Sequence, residues 1–276
     1  MSVQLYAMTC GFLAMRHDFF VDGEKGIIAV PIPSYLIKHP KGTMVFDTGL
    51  EALLQSDDKA TVDGALGSLA GHAIPEYRAG EEMSARLHAS GIDPARVDYL
   101  VNSHLHIDHC GGNSLLPNAR WVIQKREWAA TRTPEGCAKN HYTTRLFDLG
   151  HDRLEVEGEH DLFGDGSVVC VPTYGHTPGH QSLKVRLDEG DVVITSDACY
   201  MRKNLEKMLL PIPMVVADPE SMHKTLRRFQ AFRDTGAMLI FGHDPEQWKR
   251  LCGGPLTEIT YKGLVKEAAM AAEGVS

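Results

Sequence analysis

The sequence predicts a layered α/β or α+β fold, and three observations carry that reading. Short apolar runs of strand length interleave with few helical patterns. Several successive runs look like hairpins, which a strictly alternating Rossmann-type sheet does not contain. Four buried-looking runs each end just before a residue able to bind a metal: His104, His176, Asp197 and His243.

Taken in chain order, residues 27–37 are apolar and hold Pro31 and Pro33. Proline donates no ladder hydrogen bond, so this run reads as an edge or bent strand. Residues 43–46 form a short strand that stops at Asp47-Thr48-Gly49. Over residues 50–80 the pattern weakens and Asp, Ala and Gly accumulate, as in a helical or loop insertion. Residues 81–89 read as a helix with acids in its first turn and Gly91 beyond its end. Strands follow at 97–101 and 120–124, with a short helix from Arg126. Residues 168–171, 182–187 and 192–195 are three more strands. Residues 219–232 are helical, with Leu226, Phe229 and Phe232 on one face, and 238–241 is a last buried strand.

Composition narrows the function. The chain has 276 residues, which suits one large domain spanning 1–276. Twenty-eight basic against 36 acidic residues give a net charge of −8, a poor match to a nucleic-acid partner. No apolar run reaches the ~18 residues of a membrane span. The first segment, MSVQLYAMTCGFLAMRHDFF, has its first basic residue at Arg16 and does not read as a signal peptide. The six cysteines form no CxxC pair, so reduced thiols in a cytoplasm are expected.

The chemistry sits in two histidine clusters and two single residues. The first cluster is His104-Leu105-His106-Ile107-Asp108-His109. Neutral imidazoles and carboxylates suit zinc and similar metals. Alternate positions 104 and 106 in extended backbone point to one side, so one metal can take both. Asp108 and His109, past a turn, can serve a second metal, and Gly111-Gly112 then allows a tight turn. Four ligand-type residues in six positions after a buried strand are too many for a chance gathering on a solvated loop. The second cluster is Gly175-His176-Thr177-Pro178-Gly179-His180, where Pro and Gly set a rigid turn around His176 and His180 suits a structural role. Asp197, in Ser196-Asp197-Ala198-Cys199-Tyr200, has two oxygens and can bridge two metals, and His243 completes the set. Cys110 and Cys199 flank these ligands and read as inert packing thiols. No GxSxG elbow, HExxH helix, Walker loop or GxGxxG is present.

HLHIDH, GHTPGH, SDACY, the late GH and the early DTG together resemble the metallo-β-lactamase superfamily. Within it the chain is most similar to the N-acyl homoserine lactone lactonases, the quorum-quenching enzymes. The HxHxDH form, the Tyr three residues after Asp197, and SYLIKHPKGTMVFDTG carry that closer likeness. The resemblance implies an α+β fold, an αββα sandwich with two metals at one edge. It implies one metal on His104, His106 and His176, and another on Asp108, His109 and His243. Asp197 would bridge them, with Tyr200 facing the substrate and Asp108 shuttling a proton. The cofactor would be two Zn2+ per chain, or other divalent transition metals, and the reaction the opening of a lactone ring by a metal-bridging hydroxide. Such lactonases often carry an aromatic residue where this chain has Ile107. Family logic offers Met15, Phe19, Phe20 and the 50–80 insertion as walls of an acyl-chain groove, while core packing explains any one of them equally simply.

Other readings on the same scaffold are a γ-butyrolactone lactonase, a β-lactamase, or a glyoxalase II-like thioesterase using Arg202 and Lys203 for glutathione carboxylates. A di-iron oxidoreductase would have Glu where His106 stands, and a flavin domain besides. A nuclease is disfavoured by the charge. A non-catalytic binding module would not need every ligand position filled.

Overall fold

The structure, a computed structural model, describes residues 2–274. Its strands in chain order are β1 (Gln4–Arg16), β2 (Ile27–His39), β3 (Gly42–Phe46), β4 (Ala73–Glu76), β5 (Tyr99–Val101), β6 (Arg120–Gln124), β7 (Arg153–Val156), β8 (His160–Asp161), β9 (Val168–Pro172), β10 (Gln181–Leu187), β11 (Gly190–Ile194), β12 (Met238–Ile240) and β13 (Thr257–Ile259). One sheet runs β13-β1-β2-β3-β5-β6-β7, with β4 also paired to β1; the other runs β12-β11-β10-β9-β8. The helices are α1 (Lys59–Leu66), α2 (Met83–Ala89), α3 (Ile107–Cys110), α4 (Lys125–Ala130), α5 (Pro134–Lys139), α6 (Arg202–Lys207), α7 (Pro219–Asp234), α8 (Pro245–Leu251) and α9 (Tyr261–Ala272).

The period-2 alternation of the strands builds the layers. Met44 and Phe46 of β3, with Val101 of β5, face Leu183, Val192 and Ile194 of the second sheet. The intervening Val45 and Leu100 point the other way, onto Met83 and Leu87 of α2. In the second sheet Val193 and Leu239 turn outward onto Leu226 and Phe229 of α7. Two sheets therefore lie face to face with helices outside each, the αββα sandwich. Helix α7 is started by Asp218, whose carboxylate accepts from the Glu220 and Ser221 N–H groups at 3.1 Å, with Pro219 in the first turn.

Two expectations need correction. Residues 27–37 are not an edge strand: β2 lies between β1 and β3. The prolines are accommodated by a bulge instead, since β1 shifts register between Thr9 and Phe12, opposite Pro33 and Pro31. The 50–80 insertion contains α1 as well as loops, but it also contributes β4, paired antiparallel to β1. As expected, Gly111 and Gly112 form the tight turn that leads into a helical turn at Asn113–Leu115, and with φ of −60° and −94° they do so without left-handed backbone. They are needed for close approach: a Cβ on Gly112 would lie 2.5 Å from the Thr48 carbonyl oxygen, and one on Gly111 2.7 Å from that of Gly49.

Strand direction explains why one edge collects the polar residues. Strands β3 and β5 are parallel with Phe46 opposite Val101, so Asp47 emerges beside Ser103. Strands β11 and β12 are parallel with Ile194 opposite Ile240, so Asp197 and His243 lie equally far beyond the paired residues.

Candidate metal centre

All seven residues singled out by the motifs meet at this edge. The first group is His104, His106, His176 and Asp197; the second is Asp108, His109 and His243. In the first, His104 Nε2 lies 2.9 Å from His106 Nδ1 and 3.2 Å from His176 Nε2, and the last two are 3.0 Å apart. In the second, Asp108 Oδ2 lies 3.4 Å from His109 Nε2 and 3.6 Å from His243 Nε2. Asp197 stands between them. Its Oδ2 is 3.6 and 3.3 Å from the His104 and His176 Nε2 atoms, and its Oδ1 is 3.1 and 3.0 Å from those of His109 and His243.

Each imidazole is fixed through its other nitrogen, which sets the tautomer and the direction of the free lone pair. His106 Nε2 donates to the Asn140 carbonyl oxygen at 2.9 Å, His176 Nδ1 to that of Val215 at 2.8 Å, and His243 Nδ1 to that of Pro31 at 2.8 Å. His104 Nδ1 pairs with the Ser103 hydroxyl at 2.9 Å. His109 Nδ1 donates to Asp47 Oδ2 at 2.9 Å. Asp47 also accepts from the Ser103 N–H at 2.7 Å and the Ser103 hydroxyl at 2.8 Å. Asp47 and Ser196, next to Asp197, hold left-handed backbone with φ of 57° and 48°, strain concentrated where the clustered residues turn inward.

The donor set suits transition metals. Burial lowers the pKa values of His104 and His176 and takes that of His106 down to about 3, keeping these rings neutral with lone pairs available. Burial also opposes charge on His109 and His243, yet Asp197 and Asp108 raise both, so this half of the site calls for positive charge. His109 Nε2 and Asp197 Oδ1 are buried and face each other without making a hydrogen bond. Nitrogens ~2.0–2.1 Å from a tetrahedral ion lie about 3.3 Å apart, close to the spacing found in the three-histidine group.

A cavity opens over the cluster. Its apolar wall includes Leu13, Met15, Phe19, Phe20 and Leu69, so the N-terminal aromatics and the insertion do reach the site. Ile107 and Tyr200 line it too. Tyr200 is buried, its ring 5.6 Å from His176 and 5.7 Å from His243. Burial, with Asp197 and Asp108 nearby, raises its hydroxyl pKa well above the usual range, so it stays protonated. That hydroxyl lies 3.2 Å from His176 Nδ1, whose hydrogen already serves Val215. The hydroxyl proton is therefore available to another acceptor.

Several site residues escaped the motif reading. The backbone carbonyls of Pro31, Asn140 and Val215 carry no residue-type signature. Asp47 had one, the DTG turn, although its role in holding His109 was not read from it. Glu127, fully buried between the two histidine clusters, had none. His180 is structural in place, its Nδ1 2.8 Å from the Thr173 hydroxyl and its ring 5.1 Å from His104. Cys110 and Cys199 are free and buried, and burial raises both thiol pKa values. Arg202 and Lys203 point elsewhere: Arg202 binds Glu267 at 2.8 Å and Lys203 pairs with Glu24. Among the described residues no helix is long and apolar enough to cross a membrane.

Comparison with known proteins agrees with this geometry. The metallo-beta-lactamase superfamily profile matches residues 27–243. The chain is 34% identical to the N-acyl homoserine lactonase AttM of Azorhizobium caulinodans over 89% of this chain and 95% of that one. It is 27% identical to an N-acyl homoserine lactonase of Bacillus thuringiensis over 81% and 85% of the two chains. A solved N-acyl homoserine lactone hydrolase, with N-hexanoyl-L-homoserine bound at its catalytic metal centre, superposes with a TM-score of 0.77 at 27% identity, covering 90% of this chain and 96% of that one.

Proposed function

The chain belongs to the metallo-beta-lactamase superfamily, and from that premise we propose that residues 1–276 form one hydrolase domain that holds two divalent transition metals, zinc foremost, and opens the lactone ring of N-acyl homoserine lactones. The observation that carries this reading is the division of Asp197, with one oxygen toward His104 and His176 and the other toward His109 and His243. His104, His106 and His176 would hold one metal, Asp108, His109 and His243 the other, and Asp197 both.

Metals bound there supply Lewis-acid polarisation of the ester carbonyl and lower the pKa of bound water, so that a nucleophile exists at neutral pH. The chain's own residues do the rest. The Tyr200 hydroxyl donates to the carbonyl oxygen as negative charge develops on it. Asp108, at the cavity floor, carries a proton toward the leaving ring oxygen. Leu13, Met15, Phe19, Phe20 and Leu69 receive the acyl chain and exclude water from it.

Among the described residues the lining of this cavity has no Lys or Arg. That suits a neutral lactone and disfavours a glutathione thioester with its two carboxylates, since Arg202 and Lys203 are already engaged by Glu267 and Glu24. A short lactone such as γ-butyrolactone would leave the apolar wall bare. The six free cysteines suit a cytoplasmic enzyme acting on a diffusible small molecule.

The deciding experiment presents metal-loaded protein with an N-acyl homoserine lactone, γ-butyrolactone, a glutathione thioester and a β-lactam. Ring opening releases one proton and is followed by a pH indicator. The acyl homoserine lactone is expected to have the highest kcat/KM. Preference for the β-lactam or the thioester overturns the lactonase reading.

A further inference from the structure

Glu127 is fully buried, yet it does not line the cavity over the cluster, and its four hydrogen bonds go to none of the seven clustered residues. It sits in α4, just after β6. Its carboxylate accepts four hydrogen bonds, two on each oxygen. Oε1 takes the Leu105 N–H at 3.2 Å and the Tyr142 hydroxyl at 2.7 Å. Oε2 takes the Gly179 N–H at 2.8 Å and the Thr177 hydroxyl at 2.9 Å.

These donors are not scattered. Leu105 lies between His104 and His106. Thr177 and Gly179 flank the turn that carries His176. Tyr142 belongs to the segment whose Asn140 carbonyl fixes His106 Nε2. Gly179 also packs so closely on Glu127 that an added Cβ would run into its backbone. One side chain thus joins every segment that delivers an imidazole to the three-histidine group. The other group is anchored elsewhere, by Asp47 on His109 and the Pro31 carbonyl on His243.

We propose that Glu127 is the positioning residue for the three-histidine metal site alone, clamping the 104–106 and 176–179 loops so that their nitrogens converge. The inference rests on the reading that the cluster holds two metals. It also explains why a carboxylate stands here. Each oxygen faces one backbone N–H and one hydroxyl. A hydroxyl can rotate to accept, but a backbone N–H cannot. A Gln amide must therefore turn its NH2 against the Leu105 or the Gly179 N–H, whichever way it is flipped. One buried donor is left unpaired and the clamp opens on that side.

The test titrates metal-free wild type, Glu127→Gln and Tyr142→Phe with Zn2+ in competition with a chromophoric chelator. Imidazole 15N NMR identifies which rings are bound, and circular dichroism checks folding. Wild type is expected to bind two ions. Glu127→Gln is expected to bind one normally and the other about 10–100-fold more weakly, the usual cost of losing a residue that orients metal ligands. The weakened ion should be the one reported by His104, His106 and His176, with His109 and His243 unaffected. Tyr142→Phe keeps the carboxylate and loses one donor, so a smaller loss at the same site is expected; this variant decides the matter if Glu127→Gln fails to fold. Equal weakening of both ions, or none, in a folded variant overturns the role of Glu127 while leaving the two-metal reading intact. A wild type that binds fewer than two ions overturns that reading and the clamp with it.

Discussion

His243 is aimed by Pro31: its Nδ1 donates to the Pro31 carbonyl oxygen at 2.8 Å, across 212 positions of chain. The opposite ring nitrogen is thereby turned to Asp197 Oδ1, 3.0 Å away. The proline-bearing strand and His243 are thus one unit. The same pattern recurs at His106 and His176, whose outer nitrogens also donate to backbone carbonyls. Carbonyls fixed by a sheet or a packed loop cost little to preorganise, and they hold the imidazoles neutral and pointed.

Asp197 is the residue both groups share, so its loss should be felt by both. Asp197→Asn keeps the shape but removes the charge and leaves only one oxygen to bind. Metal analysis of the purified variant should show clearly less than the two ions expected of wild type, and lactone hydrolysis should be nearly abolished. Wild-type metal content with full activity would exclude a bridging role.

The contrast between what the motifs revealed and what they hid has a physical cause. His104, His106, Asp108, His109, His176, Asp197 and His243 stand out because ligand chemistry restricts residue type. Strands such as 120–124 and 43–46 stand out because burial restricts polarity. Pro31 read as a residue of an edge or bent strand because a missing N–H is the only message proline carries locally; the bulge in β1 that accommodates it in a central strand lies in another segment. Strand β4 was hidden because Ala73-Ile74-Pro75-Glu76 has no alternation, and only its pairing with β1 makes it a strand. Glu127 looks like any helix surface acid until four donors from three segments close around it.

Alkaline pH should destabilise the fold through buried thiols. Burial raises the Cys10 pKa to about 11 and that of Cys170 to about 12. A raised thiol pKa means that the folded state retains a proton the unfolded chain gives up. The stabilisation is complete below the unfolded value of ~8.5 and is lost as pH climbs toward 11–12. For Cys10 alone the loss amounts to roughly 3 kcal/mol once titration is complete. Urea unfolding from pH 8 to 11 should show stability falling across this window, and Cys10→Ala should fall less steeply. Identical slopes would remove Cys10 from the account.

The apolar wall should make rate depend on acyl length. Burying one CH2 contributes about 0.8 kcal/mol, close to fourfold. The kcat/KM for N-acyl homoserine lactones should rise by up to that factor per added CH2 until the wall is covered, then level off. Leu69→Ala, which shortens a half-buried side chain on that wall, should flatten the rise for long chains and leave the shortest substrate nearly unchanged. A uniform loss at every length would place Leu69 in the folding core instead of the binding surface.

Tyr200 separates chemistry from metal binding. Its ring lies over His176 and His243 and packs edge-on against Phe20 at 5.4 Å, so its position is set by packing. Its hydroxyl holds no ligand that would collapse without it, because His176 Nδ1 already donates to Val215. Tyr200→Phe keeps the ring and deletes one donor aimed into the cavity. Folding and metal content should be unchanged, while kcat/KM on the lactone should fall. The bond strengthens as charge gathers on the carbonyl oxygen, so the loss should appear in kcat. It should be smaller than the ~10²-fold of a sole oxyanion donor, because the hydroxyl shares that oxygen with the metal site. Loss of metal from Tyr200→Phe would make the hydroxyl a support of the site's structure. Full retention of kcat/KM would mean that the hydroxyl does not bear on the transition state, and the donor to the developing oxyanion would have to be sought elsewhere along the cavity.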